Sequence, residues 1–156
     1  MIIKSYEVQK NYTKIIKNNF YLLYGENVGL KKDIIKNIKK IINQKDDNVE
    51  ILSLYENEII NNDENFYNFI YSGSLFGNKK IITIFDATDK LIKKLNDIYD
   101  KYPENVFLVV FSGILDKKSK LRIFFESEKK AICIPCYLDN ERDLENIAQL
   151  ELKKNN

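Results

Sequence analysis

The chain has 156 residues, 44% of them hydrophobic and 31% charged, which is enough for one domain with an ordinary core and excludes a disordered segment. No apolar run approaches the roughly 20 residues that cross a bilayer, and the opening Met1-Ile2-Ile3-Lys4-Ser5-Tyr6-Glu7 has no signal-peptide stretch, so a cytoplasmic protein without membrane contact is expected. A net charge of +2 gives no overall pull toward nucleic acid, and the absence of histidine removes Ser-His-Asp triads, Cys-His nucleophiles and histidine-ligated zinc.

In chain order, Phe20-Tyr21-Leu22-Leu23-Tyr24 is an apolar run stopped by Gly25 and reads as a buried strand. Leu30, Ile34, Ile38 and Ile41 recur at helical spacing and predict a helix over 30–42. After the polar turn Asp46-Asp47-Asn48, a second strand is expected over 49–54. A helix over 64–71 puts Phe66, Phe69 and Ile70 on one face, and a third strand covers 80–85. An amphipathic helix over 88–102 carries Leu91, Leu95 and Ile98 in register and is ended by Pro103. The continuous apolar run over 106–111 is the most buried-looking strand. A short helix over 119–126, a fifth strand over 131–134 and a last helix over 143–153 complete the chain. Strands alternating with helices predict a mostly parallel five-stranded sheet with helices on both faces, and the one candidate boundary is Asp139-Asn140.

The strand, glycine turn and helix over 20–42 have the layout of a phosphate loop, but the chemistry is incomplete. Such a loop needs a glycine, four residues, a second glycine, lysine, then Ser or Thr. Counting from Gly25 through Glu26 and Gly29, the second glycine position holds Leu30, the lysine is Lys31, and the magnesium-binding hydroxyl is replaced by Lys32. Leu30 puts a Cβ where the backbone must curl around phosphate, Lys32 cannot ligate a cation, and Glu26 adds negative charge. Asp86 ends the third strand at a Walker B position, but Ala87 follows it; Asp86 reads instead as the cap of the helix over 88–102. The fold is therefore expected to be P-loop NTPase-like with a degenerate nucleotide site and no cofactor. The alternative is a working nucleotide-binding P-loop ATPase, and a third reading is a stand-alone nucleic-acid binder.

Arg122 and Arg142 are the only arginines among 25 basic residues, a bias that suits an AT-rich genome. Lys31, Lys32, Lys117, Lys118 and Lys120 accordingly read as a solvated face. Ser112, at a position where a nucleotide sensor stands in working enzymes, reads as a leftover or a cap. Cys133-Ile134-Pro135-Cys136 has redox spacing, yet the first cysteine falls in a strand rather than at a helix N-terminus, so two small buried cysteines are expected.

Ser74-Leu75-Phe76-Gly77, preceded by Gly73, sets two large apolar side chains on a glycine-bracketed turn between a helix and a strand. Turns of that kind lie on the surface. From pattern alone the pair either folds back as a staple on its own sheet or faces a partner.

Three stretches together resemble the N-terminal part of the delta subunit of the bacterial DNA polymerase III clamp loader. They are Tyr21-Leu22-Leu23-Tyr24-Gly25-Glu26 with Leu30-Lys31, then Ser74-Leu75-Phe76-Gly77-Asn78-Lys79-Lys80, then Leu115-Asp116-Lys117-Lys118-Ser119-Lys120-Leu121. The resemblance implies an AAA+-like domain that does not hydrolyse ATP, binds the ring-shaped sliding clamp (the beta subunit) and props open one of its interfaces. It implies that Leu75 and Phe76 fill an apolar pocket on the clamp, with Ser74, Gly73 and Gly77 shaping the turn. It also implies other clamp-loader subunits as partners and DNA contacted indirectly or weakly. On this reading residues 1–138 are the clamp-binding domain and 139–156 the first helix of a lid domain, shorter than the family's pattern. No Ser-Arg-Cys arginine finger is found, as expected for a subunit that is not a motor and not itself an enzyme.

Overall fold

The run Phe20–Tyr24 forms β1, an interior strand of a five-stranded sheet whose pairings are all parallel. The structure is a computed structural model and describes residues 1–44, 48–73, 79–138 and 152. The sheet order is β2 (Val49–Tyr55), β3 (Lys79–Phe85), β4 (Val106–Ser112), β1, β5 (Ala131–Pro135). Central strands covered on both faces have no polar side to show, which is why β1 and β4 up to Phe111 are apolar without alternation, and both strands are buried at every residue.

Successive side chains of β1 point to opposite faces and enter separate cores. Tyr21 and Leu23 pack with Ile34, Ile38 and Ile42 of α3 (Val28–Gln44), and with Val8 and Ile15 of α1 (Ser5–Lys10) and α2 (Tyr12–Ile15). Phe20, Leu22 and Tyr24 pack with Ile59 of α4 (Glu56–Asn61) and with Phe66 and Ile70 of α5 (Glu64–Tyr71). The same core takes Leu95 and Ile98 of α6 (Ile92–Tyr99), and Leu121, Phe124 and Phe125 of α7 (Lys120–Ser127). The expected five-stranded sheet with helices on both faces is therefore what the chain forms.

Three local expectations need correction. The helix over 88–102 is a 3-10 turn, Asp89–Leu91, followed by α6, which stops at Tyr99, short of the residues that Pro103 keeps out of helical backbone. Its cap is Thr88, whose side chain accepts from the Lys90 amide. Asp86 is not the cap: it stands two residues earlier in left-handed backbone, at φ 55°, and is exposed. The short helices α1, α2 and α4 are additions to the expected set; at four to six residues they are too brief to show a helical period. The helix expected over 143–153 falls outside the described residues except for residue 152, as do Asp46 and Asp47. Among the described residues no helix is long and apolar enough to cross a membrane.

Candidate functional site

Only Gly25, Glu26 and Asn27 separate β1 from α3. That connection is shorter than the six-residue stretch from first to second glycine of a phosphate loop, and the amides of both Gly25 and Asn27 are bonded within the chain. The Gly25 amide donates to the Gly113 carbonyl (2.9 Å) and the Asn27 amide to the Cys136 carbonyl (3.0 Å). Asn27 Oδ1 accepts from the Leu30 amide at 3.0 Å, so the helix N-terminus is capped by its own side chain. Gly25 is required: its φ is 120°, and a Cβ there would lie 2.2 Å from the Cys136 carbonyl oxygen. Gly29, the other glycine of the turn, sits inside α3, where a Cβ would meet only Asn27 Oδ1 at 3.7 Å.

Lys31 overturns the solvated-face expectation. The loop's brevity places it a full turn into α3, with its side chain buried beneath the turn. Nζ donates to the Gly25 carbonyl (2.7 Å) and the Ser112 carbonyl (2.8 Å), joining the C-terminal ends of β1 and β4. Burial lowers its pKa, opposed by Cys136 and by the carboxylates of Asp86 and Glu26. The one cation a nucleotide phosphate would need is thus spent on the protein's own carbonyls. Ser112 is structural as well, its hydroxyl donating to the Ala87 carbonyl at 2.7 Å. Glu56, absent from the sequence reading, accepts from the Thr88 amide (2.7 Å) and holds the neighbouring turn. Lys32, Lys117, Lys118 and Lys120 are exposed, as expected.

Cys133 and Cys136 are free and fully buried. Burial pushes both thiols up to about 12, so little thiolate exists near neutrality for redox chemistry. A thiol whose folded pKa exceeds its unfolded value adds stability below the unfolded value, near 9, and loses it as pH rises toward 12. The urea midpoint should therefore fall as pH rises above about 9. A C133A/C136A chain should show a shallower fall; equal slopes for the two chains would contradict the assignment.

At the other end of the sheet, α5 runs into β3. Every strand points the same way, so the α5–β3 connection meets the N-terminal end of β3 while the phosphate-like turn leaves the C-terminal end of β1. Phe66 and Ile70 anchor α5 in the core and Phe69 packs against it. Ser74, Leu75, Phe76 and Gly77 lie outside the described residues. Gly73 is exposed, its φ is not left-handed, and a Cβ there would meet nothing within 4 Å, so that position does not demand glycine. The residue sequence reading passed over here is Lys80, which looks no different from Lys79 in a basic pair heading an apolar strand. In the fold Lys80 is buried and bonded to the end of α5, while Lys79 is half-buried.

Residues 21–137 match the profile of the protein family described as DNA polymerase III, delta subunit. A probable DNA polymerase III subunit delta of Rickettsia prowazekii (strain Madrid E) is 28% identical over 137 residues, covering 86% of this chain and 40% of that protein. The solved structure of the Bacillus subtilis DNA clamp loader delta protein superposes with a TM-score of 0.64 at 16% identity, covering 94% of this chain and 48% of that one, which shows a shared fold. This chain spans less than half the length of either relative.

Proposed function

We propose that this chain, which belongs to the DNA polymerase III delta-subunit family, is the clamp-binding module of a clamp loader. Leu75 and Phe76 enter an apolar pocket on the sliding clamp, and that contact holds one interface of the ring open so that it can be placed on DNA. Residues 1–138 make up the module and 139–156 begin a lid. Other loader subunits and DNA are engaged through the assembly, in the cytoplasm, and the chain catalyses nothing by itself.

The observation that carries this reading is the division of labour between the two ends of the sheet. At one end Lys31 closes the nucleotide site with internal bonds, which disfavours the ATPase alternative. At the other end the connection holding Leu75 and Phe76 is strung between buried anchors, Ile70 on α5 and Lys80 on β3. Buried anchors on the elements that flank an apolar pair suit docking, because those elements do not have to be ordered on binding. The test is functional: clamp rings preloaded on nicked circular DNA should leave the DNA faster when this chain is added, without ATP. An unchanged rate of clamp loss would refute ring opening.

A further inference from the structure

Lys80 stands on an inward position of β3, two residues before Ile82 and four before Ile84, all three buried. Its side chain is 1% exposed. An ammonium so placed is costly unless its donors are satisfied, and an aliphatic residue in register with Ile82 and Ile84 would fill the site without that cost. Its acceptors explain its presence. Nζ donates to the Phe69 carbonyl (2.8 Å), to the Ser72 carbonyl and to Ser72 Oγ (3.0 Å), so all three ammonium hydrogens have partners. Nζ also lies 5.2 Å from the centroid of the Phe69 ring.

These acceptors are the last carbonyls of α5 and the residue just after it. Helix ends of this kind are commonly closed by a glycine in left-handed backbone. Gly73 is in position to do so but does not adopt that conformation. Lys80 closes the helix instead, from across the connection, with its positive charge at the negative end of the helix dipole. Its own amide is fixed in turn by the Asn105 carbonyl at 2.9 Å. Lys80 therefore holds the chain on both sides of residues 73–79, with its side chain at the end of α5 and with its backbone at the start of β3.

We infer that Lys80 is a positioning residue for clamp docking: by tying Phe69 and Ser72 to β3 it sets the base from which Leu75 and Phe76 are presented. The inference rests on the clamp-binding reading. A flexible base would have to be ordered on docking, and that ordering would subtract from affinity.

The test measures clamp affinity and backbone amide exchange for the full chain and its variants, using the cognate sliding clamp as probe. K80M keeps the side chain's length and removes its donors. It should bind the clamp about ten- to hundredfold more weakly. Amides in 73–79 should exchange about tenfold faster, while β1 and β4 keep their protection. K80R, which can still donate to both carbonyls, should recover part of the affinity. If K80M does not fold, S72A carries the test: it removes one acceptor and leaves the backbone, and should bind about threefold more weakly with faster exchange in 73–79. A folded K80M with wild-type affinity, or in its absence an S72A chain unchanged in both measurements, overturns the positioning role. L75A/F76A is run beside them. If it binds like wild type, the clamp-docking reading itself has failed, whatever Lys80 does.

Discussion

Replacing Leu75 and Phe76 together by alanine should reduce clamp affinity by two to four powers of ten and leave the melting temperature within a few degrees of wild type. The size follows from burial: a Leu or Phe side chain moved from water into an apolar pocket contributes about 1.5–3 kcal/mol. Two such residues give about 3–6 kcal/mol, and each 1.4 kcal/mol is a factor of ten. Apolar anchors at the centre of an interface dominate binding when the pocket excludes water, so little of this loss should be made up by neighbouring contacts. The unchanged melting temperature is expected because the large apolar core around Phe66 and Ile70 draws on all five strands and four helices of the fold, and on this reading the pair faces the clamp and not that core. Equilibrium binding and thermal unfolding of the same preparations decide the matter. A melting temperature lowered by more than about 10 °C with clamp affinity retained would mean the pair is a staple on its own sheet.

Lys31→Met should destabilise the free chain by about 2–4 kcal/mol. The substitution removes charge-assisted bonds to the Gly25 and Ser112 carbonyls, which join the ends of β1 and β4. A buried polar group left without its partner costs about 1–3 kcal/mol. For a chain of this length that corresponds to a fall of roughly 5–15 °C in melting temperature. A lysine whose role is to hold phosphate stabilises chiefly the nucleotide-bound form, so its removal should cost the nucleotide-free protein less. Thermal unfolding of K31M without nucleotide separates the two; an unchanged melting temperature would reopen the ATPase reading.

What could be read from the sequence follows how local each determinant is. The strands β1 and β4 are recognisable because burial on both faces leaves an unbroken apolar run, and α3 because Leu30, Ile34, Ile38 and Ile41 recur at helical spacing, although the fold buries Ile42 and leaves Ile41 half-buried. The helix α4 was not legible: it is six residues long, and its start is fixed by Glu58 accepting from the Tyr55 amide at 2.6 Å. Lys31 and Lys80 were misjudged or missed for a shared reason. Each looks like one of many surface lysines, and each is buried by acceptors whose position only the folded chain defines. Ser112 is 81 residues from Lys31, and the end of α5 meets Lys80 only after the chain has turned back into β3. Asp86 failed as a cap because its backbone is left-handed, which its residue type alone does not announce. The assignment of Leu75 and Phe76 came from resemblance as much as from pattern, since an apolar pair on a turn is compatible with either a staple or a plug.

The most direct test is a calorimetric titration of this chain into the sliding clamp, run with and without magnesium ATP. The account predicts saturable binding that is the same in both conditions, because the proposed docking pair belongs to the connection that enters the N-terminal end of β3, while Lys31 is bonded internally at the C-terminal ends of β1 and β4. Absence of binding, or binding that appears only when nucleotide is present, would contradict it.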